Sequence, residues 1–229
     1  ATRTLKDHLI QGYTLNERRL REKGLAEAEQ AVALLSRTLT QHNLVSDEGR
    51  GVLDVITRYA KSWLLLKEYD EHKLAIPEHR KPARTAFDYA RARRAIDTLK
   101  ARLTENGEAT DLFGQERGQQ LAGLLGSIEQ TFGGEPLYPS IGEKAAHLLY
   151  FVIKDHPFSD GNKRIGSFLF ILFLRENGYL QDAAGALKIN DNALVALALL
   201  TAGSEPANKD LMIRLIMNLL AEGRSFGGK

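Results

Sequence analysis

The sequence predicts an all-α protein, and three observations carry that prediction. Apolar residues recur at a helical period through most of the chain. Ser, Thr and Asp stand where helices would open, and Gly or Asn-Gly where they would close. The one extended-looking stretch is Gly133 to Pro139, with two glycines and two prolines around Leu137 and Tyr138, which reads as a loop or short hairpin. With 229 residues and 43% apolar content, the chain can bury the core of one large domain, or of a core domain with a smaller attachment.

The elements follow in order. From Leu15 to Leu39 the apolar positions are Leu20, Leu25, Ala28, Val32, Leu35 and Leu39. Ser46, followed by Asp47 and Glu48, has the form of an N-cap with an acidic first turn. The helix it would open carries Val52, Val55, Ile56, Tyr59, Trp63 and Leu66 on one face, so these two segments predict a helical hairpin anchored by Trp63. Residues 75–84, with Pro77 and Pro82, break the pattern and mark a linker, giving an N-terminal helical region over 1–80 and a core domain over 81–229. Thr85 would cap the next helix, which ends near Asn106-Gly107. Its Arg91, Arg93, Arg94, Lys100 and Arg102 are diluted by Asp88, Asp97 and Glu105 and read as a solvated face. A helix from Gln115 to Thr131 stops at Gly133-Gly134.

Ser140-Ile-Gly-Glu143 has capping-box spacing and opens a helix to Asp155. His147, among Ala145, Leu148 and Leu149, reads as a packed or rim histidine. Pro157 disfavours helix at His156. A helix from Asn162 to Gly178 carries the apolar run Phe168 to Leu174. Two more span Asp191 to Ala202 and Ala207 to Ala221, the last closed by Gly223, with a core stripe of Met212, Ile213, Leu215, Ile216 and Leu219.

Composition excludes several classes. Without cysteine there are no disulfides or thiolate metal sites, which suits a reducing, cytoplasmic setting. No apolar run approaches the ~18–20 residues of a membrane span, and a net charge of +2 gives little reason to expect nucleic-acid binding. The chain opens at Ala1 without a Met, which points to further sequence upstream.

One segment stands apart: His156-Pro-Phe158-Ser-Asp160-Gly161-Asn162-Lys163-Arg164. A helix stops, a short loop follows and a helix begins, so unpaired N–H groups and the positive end of a dipole meet at Asn162. Gly161 lets a phosphate approach the backbone, and Asn162, Lys163 and Arg164 crowd donors and cations into the first turn. Cations there oppose the dipole and make sense if a polyanion sits nearby. Asp160 supplies the single carboxylate that Mg²⁺ takes beside substrate phosphates. His156 stands as a general base, and Phe158 as the apolar pin fixing the loop to the core.

This segment resembles the signature loop of the Fic/death-on-curing (Fido) family, His-x-Phe-x-(Asp/Glu)-(Gly/Ala)-Asn-(Gly/Lys)-Arg, and the resemblance covers roughly residues 110–222. It implies a Fic-type helical bundle with a short flap hairpin, preceded here by the helical hairpin. It also implies an enzyme that uses ATP and Mg²⁺ to modify a Ser, Thr or Tyr hydroxyl of a target protein. His156 would take the hydroxyl proton, Asp160 would hold Mg²⁺, and Asn162 with the Gly161 backbone would form an anion hole. Lys163 and Arg164 would bind phosphate oxygens, while Leu137 and Tyr138 would lie on the target-docking flap. The family also admits an antitoxin or other inhibitory partner and a homo-oligomer. Upstream, residues 1–20 resemble the end of the virulence-associated RhuM-like region.

Two departures bear on which group moves. Adenylyl-transferring members resemble Gly-Asn-Gly-Arg with a second arginine three residues on, whereas this chain has Lys163 and, at the second-arginine position, Ser167. The death-on-curing toxins, which phosphorylate their targets, share the Asn-Lys-Arg form but carry Ala in place of Gly161. On the strength of Gly161 the sequence favours AMP transfer, with a death-on-curing-type protein kinase or a non-catalytic partner-binding module as alternatives. The family's inhibitory helix has no full counterpart. The nearest segment, Asn218 to Gly223, holds Glu222, whose arginine partner is replaced by Ser167, so Glu222 reads as a helix end.

Overall fold

The computed structural model describes residues 62, 65–78 and 80–221. The expected hairpin from Leu15 to Leu66, all but a few of its last residues, with its anchor Trp63, the RhuM-like residues 1–20 and the Glu222-Gly223 helix end lie outside these residues. The chain divides into two compact units, Ala1–Lys73 and Leu74–Lys229. In the first, residues 65–70 are helical. Every element named below belongs to the second.

Helix α1 spans Tyr89–Glu105. Asp88 caps it, its carboxylate accepting the Arg91 N–H at 2.8 Å. Thr85, the expected cap, instead gives its N–H to the Asn177 side chain at 3.1 Å, so the helix opens at the next residue able to reach a first-turn amide. Helix α2 spans Gln120–Ile128, shorter at its start than the periodicity suggests. The backbone ahead of it is drawn into β-bridges with the 156–164 loop, Phe113 with Asp160 and Glu116 with Phe158. Glu116 caps α2 from outside, accepting the Leu121 N–H at 2.9 Å.

Strands β1 (Thr131–Phe132) and β2 (Glu135–Pro136) form the short hairpin. Its two-residue turn uses Gly133 and Gly134 at φ 61° and 90°, the left-handed pair that such a hairpin requires. Helix α3 (Ile141–Lys154) carries the expected capping box: Ser140 and Glu143 each bond the other's backbone N–H, at 3.2 and 3.1 Å. Then come α4 (Asn162–Glu176), α5 (Asp191–Gly203), a 3-10 turn at Pro206–Asn208 and α6 (Lys209–Leu220).

Helix α3 is the central post, touching α2, α4, α5 and α6. Its Ala145, Ala146, Leu149, Val152 and Ile153 are fully buried, as are Ile165, Leu169, Phe170 and Leu174 of α4. Gly166 permits the close α3–α4 approach, since a Cβ there would lie 3.1 Å from Ile153. Met212, Ile213, Leu215 and Ile216 of α6 are buried as the stripe predicts, whereas Leu219 is only partly buried and Leu220 takes the inward place at the end of the helix. The proline-broken stretch after Leu74 is strapped to this unit. Leu74 and Ala75 carbonyls accept from Arg214 and Asn218, the Lys81 carbonyl accepts the Ile141 N–H, and Asn177 receives the Arg84 N–H. The regular secondary structure of the described residues is therefore helical apart from one small hairpin and isolated bridges, as the sequence predicts.

Candidate active site

The 156–164 loop joins the end of α3 to the start of α4, and its shape follows from three local devices. At its first residue, His156 is exposed and sits at φ 49°, in the left-handed region that non-glycine residues seldom occupy. Pro157 makes a helical His156 unfavourable, and the chain turns sharply away from the Asp155 cap. At its middle, Phe158 is completely buried. At its end, the Asn162 side chain closes a reciprocal pair with Phe158, accepting the Phe158 N–H at 2.9 Å and donating to the Phe158 carbonyl at 2.8 Å.

The loop is zipped laterally to residues 113–117. The Gly114 N–H donates to the Asp160 carbonyl at 3.1 Å, Ser159 N–H to Gln115 at 2.9 Å and Arg117 N–H to Pro157 at 2.8 Å. This strip is the part of the site that motif reading missed. Its one sequence signal is the run of small and turn-forming residues at Gly114 and Gly118, whose φ values are 66° and 64°.

Helix α4 opens on Gly161, left-handed at φ 88°, with no side chain capping its first turn. Asp88, Ser140 and Asn190 cap α1, α3 and α5, while α6 starts, like α4, without a side-chain cap but has no cation pair and adjacent carboxylate at its opening. The glycine has a reason of its own: a Cβ on it would overlap the Phe113 ring. Lys163 and Arg164 are exposed in this first turn. Asp160 is half-exposed; one carboxylate oxygen accepts the Gly161 N–H at 2.6 Å, while the other lies 3.7 Å from Arg164 and 3.5 Å from the Thr110 hydroxyl. Arg164 also donates to the Glu108 carbonyl at 2.8 Å.

From Lys163 and Arg164 an apolar groove of ≈ 620 Å³ runs along α4 past Ser167 and Phe168, walled by Leu99 and Leu103 of α1 and by Leu194 and Leu199 of α5. Thus the second-arginine position opens onto an apolar slot.

On the flap side, Leu137 is exposed, whereas the Tyr138 ring is stacked on His147 at 3.7 Å. His147 is buried and its Nδ1–H donates to the Glu143 carbonyl at 2.9 Å. Burial, with Lys209 nearby, pushes its pKa down to about 4, against the opposing pull of Glu143 and Asp210. It is a packed histidine, the first of the two places the sequence reading allows. Asp155, next to His156, has its carboxyl raised by burial, offset in part by Lys209 and His156.

Residues 62–174 match the Fic/DOC family model. The matched span contains the whole 156–164 loop and ends within α4, so the chain is similar to Fic/DOC proteins over the segment where the loop, its bracing strip and the flap are found. Neither the curated proteins nor the solved structures include one that matches the chain. Among the described residues no helix is long and apolar enough to cross a membrane.

Proposed function

We propose that this protein is a transferase that uses ATP and Mg²⁺ to modify a Ser, Thr or Tyr hydroxyl of another protein. The observation that carries the reading is the uncapped start of α4. Free backbone N–H groups and the cations Lys163 and Arg164 converge there beside a half-exposed carboxylate, an arrangement suited to a polyphosphate. The apolar groove leading away from the same two cations has room for a nucleoside.

In this reading the target hydroxyl approaches exposed His156, which removes its proton as the oxygen attacks phosphorus and the opposite phosphoanhydride bond breaks. Attack on the α phosphorus releases pyrophosphate, and attack on the γ phosphorus releases ADP. Backbone N–H groups of the α4 first turn, with Lys163 and Arg164, stabilise the charge that develops on the phosphoryl oxygens. Asp160 fits a Mg²⁺ ligand, since a single half-exposed carboxylate, its second oxygen 3.7 Å from Arg164, is what that ion takes beside phosphates; bound there, Mg²⁺ would neutralise phosphate charge. Asn162 acts through loop shape and its own backbone N–H, its side chain being engaged by Phe158. Leu137 and the hairpin would receive an extended target segment by strand addition.

AMP is the group the Gly161 form of the loop favours, but the Phe113 contact accounts for a glycine there whichever group moves. A second reading, transfer of the terminal phosphate, gains from the groove. A base lying against Ser167 and Phe168 would direct its phosphate chain back along the first turn, terminal phosphate foremost, towards the loop. ATP labelled separately on the α and γ phosphates, incubated with cell lysate, decides between them. Protein-bound α label means AMP transfer, and γ label alone means a kinase. No label from either, with wild-type protein that binds ATP, removes the transferase reading and leaves the partner-binding module.

A further inference from the structure

The groups that shape the phosphate site converge on one buried ring that lies outside the loop. Phe113 is fully buried. One edge of its ring fills the space where a Gly161 side chain would go. The Arg164 guanidinium lies over its face, 4.6 Å from the centroid. Its backbone bridges Asp160, and its neighbour Gly114 donates to the Asp160 carbonyl at 3.1 Å. The strip is held from behind by Arg93, which donates to the Gly114 carbonyl at 2.9 Å, and by the Phe113 N–H to Thr110 carbonyl bond at 3.0 Å.

We propose that Phe113 is a positioning residue of the phosphate site: its ring holds the plane of the Arg164 guanidinium, 4.6 Å above it, so that the cation faces the bound phosphates. The inference rests on the ATP-dependent reading above. Arg164 has three other polar neighbours in reach, the Glu108 carbonyl, the Asp160 carboxylate and solvent. An aromatic face beneath the planar cation leaves its edge free to turn between them while fixing its plane. A guanidinium so held can exchange Asp160 for a phosphate oxygen without being reoriented. An aliphatic side chain of similar bulk would fill the core equally well but would not hold that plane.

The experiment is a double-mutant cycle on the full chain, reading ATP·Mg²⁺ affinity by calorimetry for wild type, F113L, R164Q and the double variant, with a thermal melt of each as the folding control. F113L should weaken ATP binding about two- to fivefold, the range of a cation–π contact at an exposed site, and should leave affinity unchanged within about 1.5-fold once Arg164 is replaced. A loss that persists undiminished in the R164Q background overturns the proposal, because a packing defect would not depend on the guanidinium. Unchanged affinity in F113L overturns it too. Should F113L fail to fold, F113M makes the same comparison with a more adaptable apolar side chain. Failure of the wild type to bind ATP·Mg²⁺ is a separate result: it defeats the transferase reading itself, and the positioning role with it.

Discussion

His156 occupies the position just past the end of α3 where helices commonly place a left-handed glycine. For an L-residue with a Cβ, that conformation costs about 1–2 kcal/mol, a cost that packing does not explain because the side chain is exposed. Strain retained at an exposed residue points to a use for its side chain. Two substitutions separate use from strain. His156→Gly relieves the backbone and His156→Ala does not, so the glycine variant should melt about 2–4 °C above the alanine variant, the shift expected of ~1 kcal/mol in a chain of this size. Neither should transfer label from ATP to protein. Transfer by the alanine variant would remove His156 from the general-base role, and equal melting temperatures would show that the loop relaxes the strain elsewhere.

At the scale of the element, α3 carries both the start of the loop and the support of the hairpin side, through the Tyr138–His147 stack. Buried His147 has a pKa of about 4 against an ordinary value of 6.5. Between those values the unfolded chain binds a proton that the folded chain does not, so stability rises with pH across that window and falls on acidification. The full difference corresponds to at most about 3 kcal/mol. Lys209 works in the same direction, while Glu143 and Asp210 oppose it. Denaturant melts at pH 7, 5.5 and 4 should show the wild type losing stability faster than His147→Gln, which lacks the titrating ring; parallel losses would mean that other groups govern the acid limb.

The same helix shows what the sequence made legible. Its capping box and its end before Pro157 are local signals, and the bounds read from them match. The start of α2 was misread because Glu116 and its neighbours answer to the distant loop rather than to their own periodicity. Thr85 failed as a cap for a similar reason, being claimed by Asn177 of α4. Likewise, Gly161 looked like room for phosphate because the ring that actually requires a glycine, Phe113, lies far away in sequence.

For the whole molecule, the question is how a site with so few protein ligands would hold a metal. Among the described residues no group of three or more His, Asp or Glu could bind one. Asp160 would therefore need the phosphates to complete a Mg²⁺ shell, and the phosphates would need Mg²⁺ to lie beside Asp160 without repulsion. Metal and nucleotide together should stabilise the fold by more than the sum of their separate effects. At ATP·Mg²⁺ concentrations of ~100 Kd, binding to the folded chain contributes about 2.7 kcal/mol, which for this chain length raises Tm by about 5–10 °C. Mg²⁺ alone should move Tm by less than about 1 °C, since a lone exposed carboxylate competes poorly with the ion's own hydration. Asp160→Asn keeps the Gly161 N–H acceptor and much of the loop shape but removes the charge. It should leave the modest shift from ATP without metal and abolish the additional shift with Mg²⁺. A large shift from Mg²⁺ by itself would reveal a metal site elsewhere in the chain, and undiminished synergy in Asp160→Asn would mean that the metal is carried by the phosphates alone.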